Sequence, residues 1–303
     1  MTLGLTLLTA MSIQANDLTQ GLLLVCNKGD HTLGLVDPVA GRMIATVPED
    51  GITGHEVAAS PDGRLAYVPI YSNTGVGRPG TDGRLIRVID LASRAVTATI
   101  DLGKGLRPHC AVMGPQNRLL YVTTELAEAI TVIDPKTLQV TGTIPTGRPE
   151  SHMLAITRDG RRGYTANVGS GTVSVLDLAA QKLLTVIPVC PVTQRIALSV
   201  DDRWVFTSDQ TQPRLAVIDT QTNGLRRWIP LPGIGYGSAP RRTAARSSSF
   251  SAAPTRSPSS TLRPWRSRKP STCPKARRKS SSARTGPKPT CPAPPPSRSP
   301  SSM

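Results

Sequence analysis

The chain has 303 residues, enough to bury a sizeable core in one or two domains, with 36 Lys and Arg against 20 Asp and Glu and a formal net charge of +16. The charge is confined: residues 238–303 hold 15 basic and no acidic side chains, so the preceding 237 residues are nearly neutral and a nucleic-acid reading rests on that last segment alone. The five cysteines (Cys26, Cys110, Cys190, Cys273, Cys291) form no CxxC or CxxCH, which argues against zinc knuckles and covalent c-type heme, and no apolar run is long enough to span a membrane.

Residues 1–15, MTLGLTLLTAMSIQA, are apolar and end in a small residue, as an export leader does, but lack a basic first segment. A leader implies a periplasmic or extracellular protein; a frayed start implies a cytoplasmic one. From residue 16 onward a unit repeats. A strand ending in Asp recurs as GLVDP, RVIDL, TVIDP, SVLDL and AVIDT, with Asp37, Asp90, Asp134, Asp177 and Asp219 spaced 53, 44, 43 and 42 apart. Before each lies an alternating apolar run (LLLVCN, LAYVPI, LLYVTT, GYTANV, WVFTSD). Before that, in four units, lie a shorter run and a turn such as HEVAASPDGR or HMLAITRDGR. One further strand follows each Asp. Alternation with β-branched residues favours strands over helices. Four short strands per unit of about 42 residues predict an all-β fold, a β-propeller of four-stranded antiparallel blades. Four blades are whole over residues 16–237, and the first lacks its innermost strand. The repeated Asp is expected to fold back on the backbone two residues on, as an Asx-turn, with Gly63 and Gly160 taking positive φ in the other turn.

The pieces Tyr121-Val122-Thr123-Thr124 and Tyr164-Thr165-Ala166-Asn167, with the V-I-D strands, resemble the YVTN family of β-propeller repeat proteins over roughly residues 20–237. The resemblance implies a seven-bladed parent in a superfamily that includes lactonases and cytochrome d1-like proteins, and it leaves the chemistry open.

Ligands of propellers enter the central funnel, and the histidines fall in register there. His55, His109 and His152 each lie seven residues before the turn position held by Asp62, Gln116 and Asp159, and Gln194 and Tyr236 continue the series. The adopted reading is a repeated hydrogen bond to the neighbouring blade; the alternative is a metal set of His55, His109 and His152. No acidic residue shares this register. His31 is off it and expected in solvent. Loops on the same face offer Asn27, Asn73, Glu125, Asn167 and Asp209, and the second blade carries an insertion from Tyr71 to Gly83, either a binding loop or a surface excursion. Arg107-Pro108-His109 with Glu125-Leu126 resembles pieces of seven-bladed lactonases; that resemblance implies His109 and Glu125 activating water and Arg107 steadying an oxyanion. Pro108 and Thr124 depart from the lactonase pattern. The expected function is a scaffold binding a small molecule or a protein at the funnel face, with no nucleic acid, no membrane span and no cofactor specified. The alternatives are a lactonase-like hydrolase and a metal- or heme-dependent oxidoreductase.

The segment 238–303 keeps the beat without the strands. RSPSS begins at Arg256 and again at Arg298, 42 residues apart, and Thr261 and Met303 fall where the next Asp marks are due. Read one base earlier, RSPSS-M can encode Q-V-A-V-I-D, and Ser282–Cys291 can encode V-R-P-D-G-A-K-A-Y-V. A change of reading frame near Gly237 accounts for both, and would leave the chain a truncated propeller. The alternative is a disordered Arg/Ser/Pro-rich tail.

Overall fold

The computed structural model describes residues 21–240 and the backbone of Phe250–Ala252. The expected leader and nearly all of the basic segment lie outside the described residues. The described elements all fall in one unit, residues 1–258; a second, 259–303, lies outside them.

Strands β1 (Leu23–Asn27), β2 (Thr32–Asp37) and β3 (Arg42–Pro48) form a three-stranded sheet. Four antiparallel four-stranded sheets follow in chain order. The first holds β4 (Ala58–Ala59), β5 (Leu65–Pro69), β6 (Leu85–Asp90) and β7 (Ala95–Asp101). The next holds β8 (Pro108–Met113), β9 (Leu120–Thr124), β10 (Ala129–Asp134) and β11 (Gln139–Pro145). Then come β12 (Ser151–Ile156), β13 (Arg162–Asn167), β14 (Thr172–Asp177) and β15 (Lys182–Pro188). The last contains β16 (Thr193–Leu198), β17 (Trp204–Asp209), β18 (Arg214–Asp219) and β19 (Gly224–Pro230). A short pair, β20 (Ser238–Pro240) with β21 (Phe250–Ala252), closes the described elements. This is the expected propeller pattern of four whole blades and a first blade without its innermost strand.

Burial explains which strand sits where. The middle strands β9, β10, β13 and β14 are buried almost throughout, because both faces of a middle strand meet a neighbouring sheet. The last strands, such as β7 (AVTATID), alternate exposed and covered residues. The core is therefore not one mass but a series of apolar layers between sheets. Leu33, Leu35, Ala66 and Val68 join the first two sheets, Tyr67, Ile86, Leu120 and Val122 the next two. Tyr121, Ile130, Leu154 and Leu176 follow, then Tyr164, Val175, Ile196 and Val205.

The repeated aspartates act as the sequence predicts, with a variation. Asp37, Asp134 and Asp219 accept the amide two residues on, at 2.8 Å each. Asp90 and Asp177 instead accept from the third, Ser93 at 2.7 Å and Ala180 at 2.9 Å. One residue ahead of each Asp the ladder to the last strand slips by one residue, a bulge repeated in all five sheets. In the other turn Gly63 and Gly160 take φ of 70° as expected. Asn117, not Gln116, does the turn work in the third unit: it accepts Leu119 N at 3.1 Å, while Gln116 donates to the Arg158 carbonyl of the next sheet.

Candidate funnel site

Each sheet's first strand brings its register residue inward, and a backbone irregularity aims it. The β8–β9 ladder breaks between Pro108 and Ala111, β12–β13 between Ser151 and Met153, and β16–β17 between Thr193 and Ile196. His109, His152 and Gln194 sit inside those breaks, where a bulge re-aims a side chain. In the second unit the pairing fails altogether around His55. Only the Gly54–Ile70 bridge and the two residues of β4 pair, so the innermost strand expected to begin near His55 is shorter than its equivalents. Beside this gap stands Glu49, fully buried, whose carboxylate accepts Gly54 N at 2.6 Å and occupies the place where a Cβ on residue 54 would go.

The three histidines converge. Ring centroids lie 4.5 Å apart for His55 and His109, 3.6 Å for His109 and His152, and 6.4 Å for His55 and His152, so His109 sits between the other two. Tyr71 packs edge-on against His55 and His109 at 5.3 and 5.0 Å. His109 is wholly buried. Its Nδ1 lies 3.1 Å from the His152 carbonyl, which can only accept, so Nδ1 carries the proton and Nε2 is a bare lone pair with no partner. This is the expected inter-blade bond, and His152 makes a longer one to the next sheet. His152 meets the Gln194 amide at 3.5 Å through Nε2, and its Nδ1, like that of His55, has no partner.

Burial first, then the charges of Lys28 and Arg195, holds His55 down to about 4. Burial, then Arg195, holds His152 down to about 3. Burial, then the neighbouring histidines, puts His109 well below the ordinary imidazole value. All three rings are neutral at pH 7.

Beside this cluster lies a second, charge-paired group. Arg107, 3% exposed, donates through Nε to Asp82 (2.5 Å), through Nη2 to the Arg78 carbonyl (2.7 Å) and through Nη1 to Glu125 Oε1 (3.4 Å). Glu125, 2% exposed, also accepts Gly77 N at 3.1 Å and the Tyr71 hydroxyl. Burial, then the bond to Glu125, pushes the Tyr71 phenol up. The 71–83 insertion is thus tied down onto Arg107 and Glu125 rather than standing out from the surface.

The other register and loop residues serve elsewhere. Asn167 accepts Ser151 Oγ and donates to Thr172 and Ser174 within its own sheet. Asp209 accepts from Thr211, Gln212 and Arg214. Asn73 is exposed and caps Thr81 N within the insertion. Asn27 donates to Thr32, and His31 is exposed, as expected. Two residues absent from the sequence reading enter the funnel. Arg195 donates to Glu56 Oε1 at 2.5 Å, joining the first strand of the last whole sheet to that of the second sheet, and its guanidinium lies 5.0 Å from the Tyr236 ring. Their signal was adjacency: each follows a register residue directly.

The family model described as Cytochrome D1 heme domain matches residues 119–258. The seven-bladed β-propeller protein Rv1057 of Mycobacterium tuberculosis is 32% identical over 136 residues, 44% of this chain and 31% of that protein. Antigen Lp49 of Leptospira interrogans is 26% identical over 154 residues, 48% of this chain and 33% of that one. The chain thus spans about a third of the length of these curated relatives. Hydrazine synthase from Kuenenia stuttgartiensis superposes with a TM-score of 0.60 at 19% identity, over 72% of this chain and 66% of that one, a likeness of fold. The chain is a β-propeller whose residues 119–258 are similar to the cytochrome d1 heme domain. As placed, the histidines of this propeller do not fit heme: an axial imidazole must face a slot as wide as the macrocycle, whereas His109 is enclosed between His55 and His152 with ring stacking at 3.6 Å.

Proposed function

We propose that this protein is a binding scaffold that takes a small molecule or a partner at the funnel face, without catalysing its conversion. The observation that carries this reading is the division of labour between the two groups. Hydrolysis needs a free carboxylate or imidazole to activate water and a free cation to meet the oxyanion. Both Glu125 oxygens and all three Arg107 nitrogens are already engaged, and Tyr71 lies between Glu125 and His109, contacting each. The imidazoles are the opposite: neutral, convergent and unsatisfied, as hydrogen-bonding walls of a pocket are. A seven-bladed ring, as named for the mycobacterial relative, is part of the same proposal, as is export through residues 1–15.

The test uses the full chain labelled with ¹⁵N-histidine and a fragment set of small alcohols, primary amides and γ-lactones. Ring-nitrogen shifts at His55 and His152, with lactones recovered intact, are the expected result. Lactone opening above the buffer rate and lost in Glu125→Gln would replace the scaffold by a hydrolase. Shifts confined to His31 would remove the funnel as the binding site.

A further inference from the structure

The sequence register selects three histidines; the structure selects a different trio. His55, Glu56 and His109 each place one ligand atom within 4.8 Å of the others. A second, independent observation concerns His109. The bare Nε2 of His109 is wholly buried and aimed at no partner, in a place where an unmet polar atom is costly. Its other nitrogen donates to a backbone carbonyl, the arrangement that fixes a metal-binding tautomer. Resting on the funnel-binding reading above, we propose that His55, Glu56 and His109 bind a single zinc-class transition ion, with a fourth position left open.

The chemistry and the mobility of the parts agree. Two imidazoles and a carboxylate are a borderline-soft donor set suited to zinc, cobalt or copper. Ligands of a tetrahedral ion stand about 3.4 Å apart, given bonds of about 2.0–2.1 Å, so the widest pair of the trio must close by up to about 1.4 Å. His109 is anchored in β8, but His55 and Glu56 lie in the unpaired stretch between Gly54 and β4, with side chains 18% and 26% exposed, and can move. A carboxylate has two oxygens, so Glu56 can keep Arg195 on Oε1 while ligating. The charges of Arg195 and Lys28 oppose a cation, and the three ligands must outweigh them. His152 stacks on His109 and is no ligand in this scheme.

The full chain, stripped with a chelator and kept reduced, would be titrated with Co²⁺ and followed by visible absorption and equilibrium dialysis. One tight equivalent is expected, with ligand-field bands and no thiolate-to-cobalt charge transfer. Glu56→Gln and His55→Ala, both at partly exposed positions, should weaken it by about 10- to 100-fold or more. His152→Asn should leave it unchanged. Absence of uptake by the wild type, equal uptake by Glu56→Gln, a thiolate band abolished by cysteine alkylation, or an equal loss in His152→Asn would each overturn the assignment. Because fragment binding is read at the His152 ring, loss of the ion alone would remove this site and leave the scaffold reading standing; loss of both would remove both.

Discussion

Glu125 holds three unlike donors, an arginine, a phenol and a backbone amide, in a site closed to water. Removing it takes the acceptor from the buried Tyr71 hydroxyl and the Gly77 amide and leaves Arg107 with Asp82 as its carboxylate partner, so Glu125→Ala should destabilise the fold by about 3 kcal/mol or more in urea unfolding. Tyr71→Phe, which deletes one bond to a charged acceptor, should cost about 1.5–3 kcal/mol. If the two changes cost the same, the network is not what holds the insertion down. The neutral histidines predict a pH dependence of definite sign. Their folded values lie below the ordinary 6.5, so between about pH 6.5 and pH 3–4 the unfolded chain binds protons that the folded chain refuses. Stability should be full above about pH 6.5 and fall as the pH drops through that window, with a slope approaching 1.4 kcal/mol per pH unit for each ring. Thermal melting in chelator should show this, and His152→Asn should flatten it. At this scale the histidine register was legible because it repeats. Glu56 and Arg195 were not, because their pairing joins positions 139 residues apart and belongs to no repeat.

Strands and turns were the most legible level, because each unit states its alternation and its turn residue independently and five statements agree. The departures are local. Asn117 supplants Gln116 since the side-chain oxygen one residue later reaches the Leu119 amide, and the short strand after His55 lies beside a buried Glu49 that accepts the Gly54 amide. The bulges that aim His109 and His152 leave no mark in an apolar pattern. Two glycines separate conformational need from close approach. Gly63 has φ of 70° and open space where a methyl group would stand, whereas Gly171 has φ of 60° and would drive a Cβ into the Cys190 carbonyl. Gly63→Ala should therefore cost about 1–2 kcal/mol, the left-handed penalty alone. Gly171→Ala adds a backbone clash and should cost about 3 kcal/mol or more. Denaturant midpoints at constant m-value would check the ranking; equal costs would mean the Gly171 loop simply yields.

At the scale of the molecule, stability resides in the apolar layers between sheets, so each sheet depends on the next for half of its core. The last whole sheet holds its own apolar cluster, in which Trp204, Ile229 and Leu231 pack against the buried Phe206, Leu215 and Val217. After it the sequence supplies no alternating apolar strand, yet keeps the 42-residue interval between its two RSPSS copies. Disorder gives no reason for a blade-length interval, whereas a one-base change in reading frame near Gly237 preserves spacing and destroys pattern at once. Sequencing the coding DNA there, and expressing a version shifted by one base, should yield a chain in which V-A-V-I-D ends on the marks now held by Thr261 and Met303, with P-D-G-A-K-A-Y-V between them. That version should melt more cooperatively and at a higher temperature than the present chain, because the repeat then supplies the apolar strands of the following blades. A shifted frame that meets an early stop, or that lacks those segments in phase, would return the tail to a basic, low-complexity segment whose spacing is coincidental.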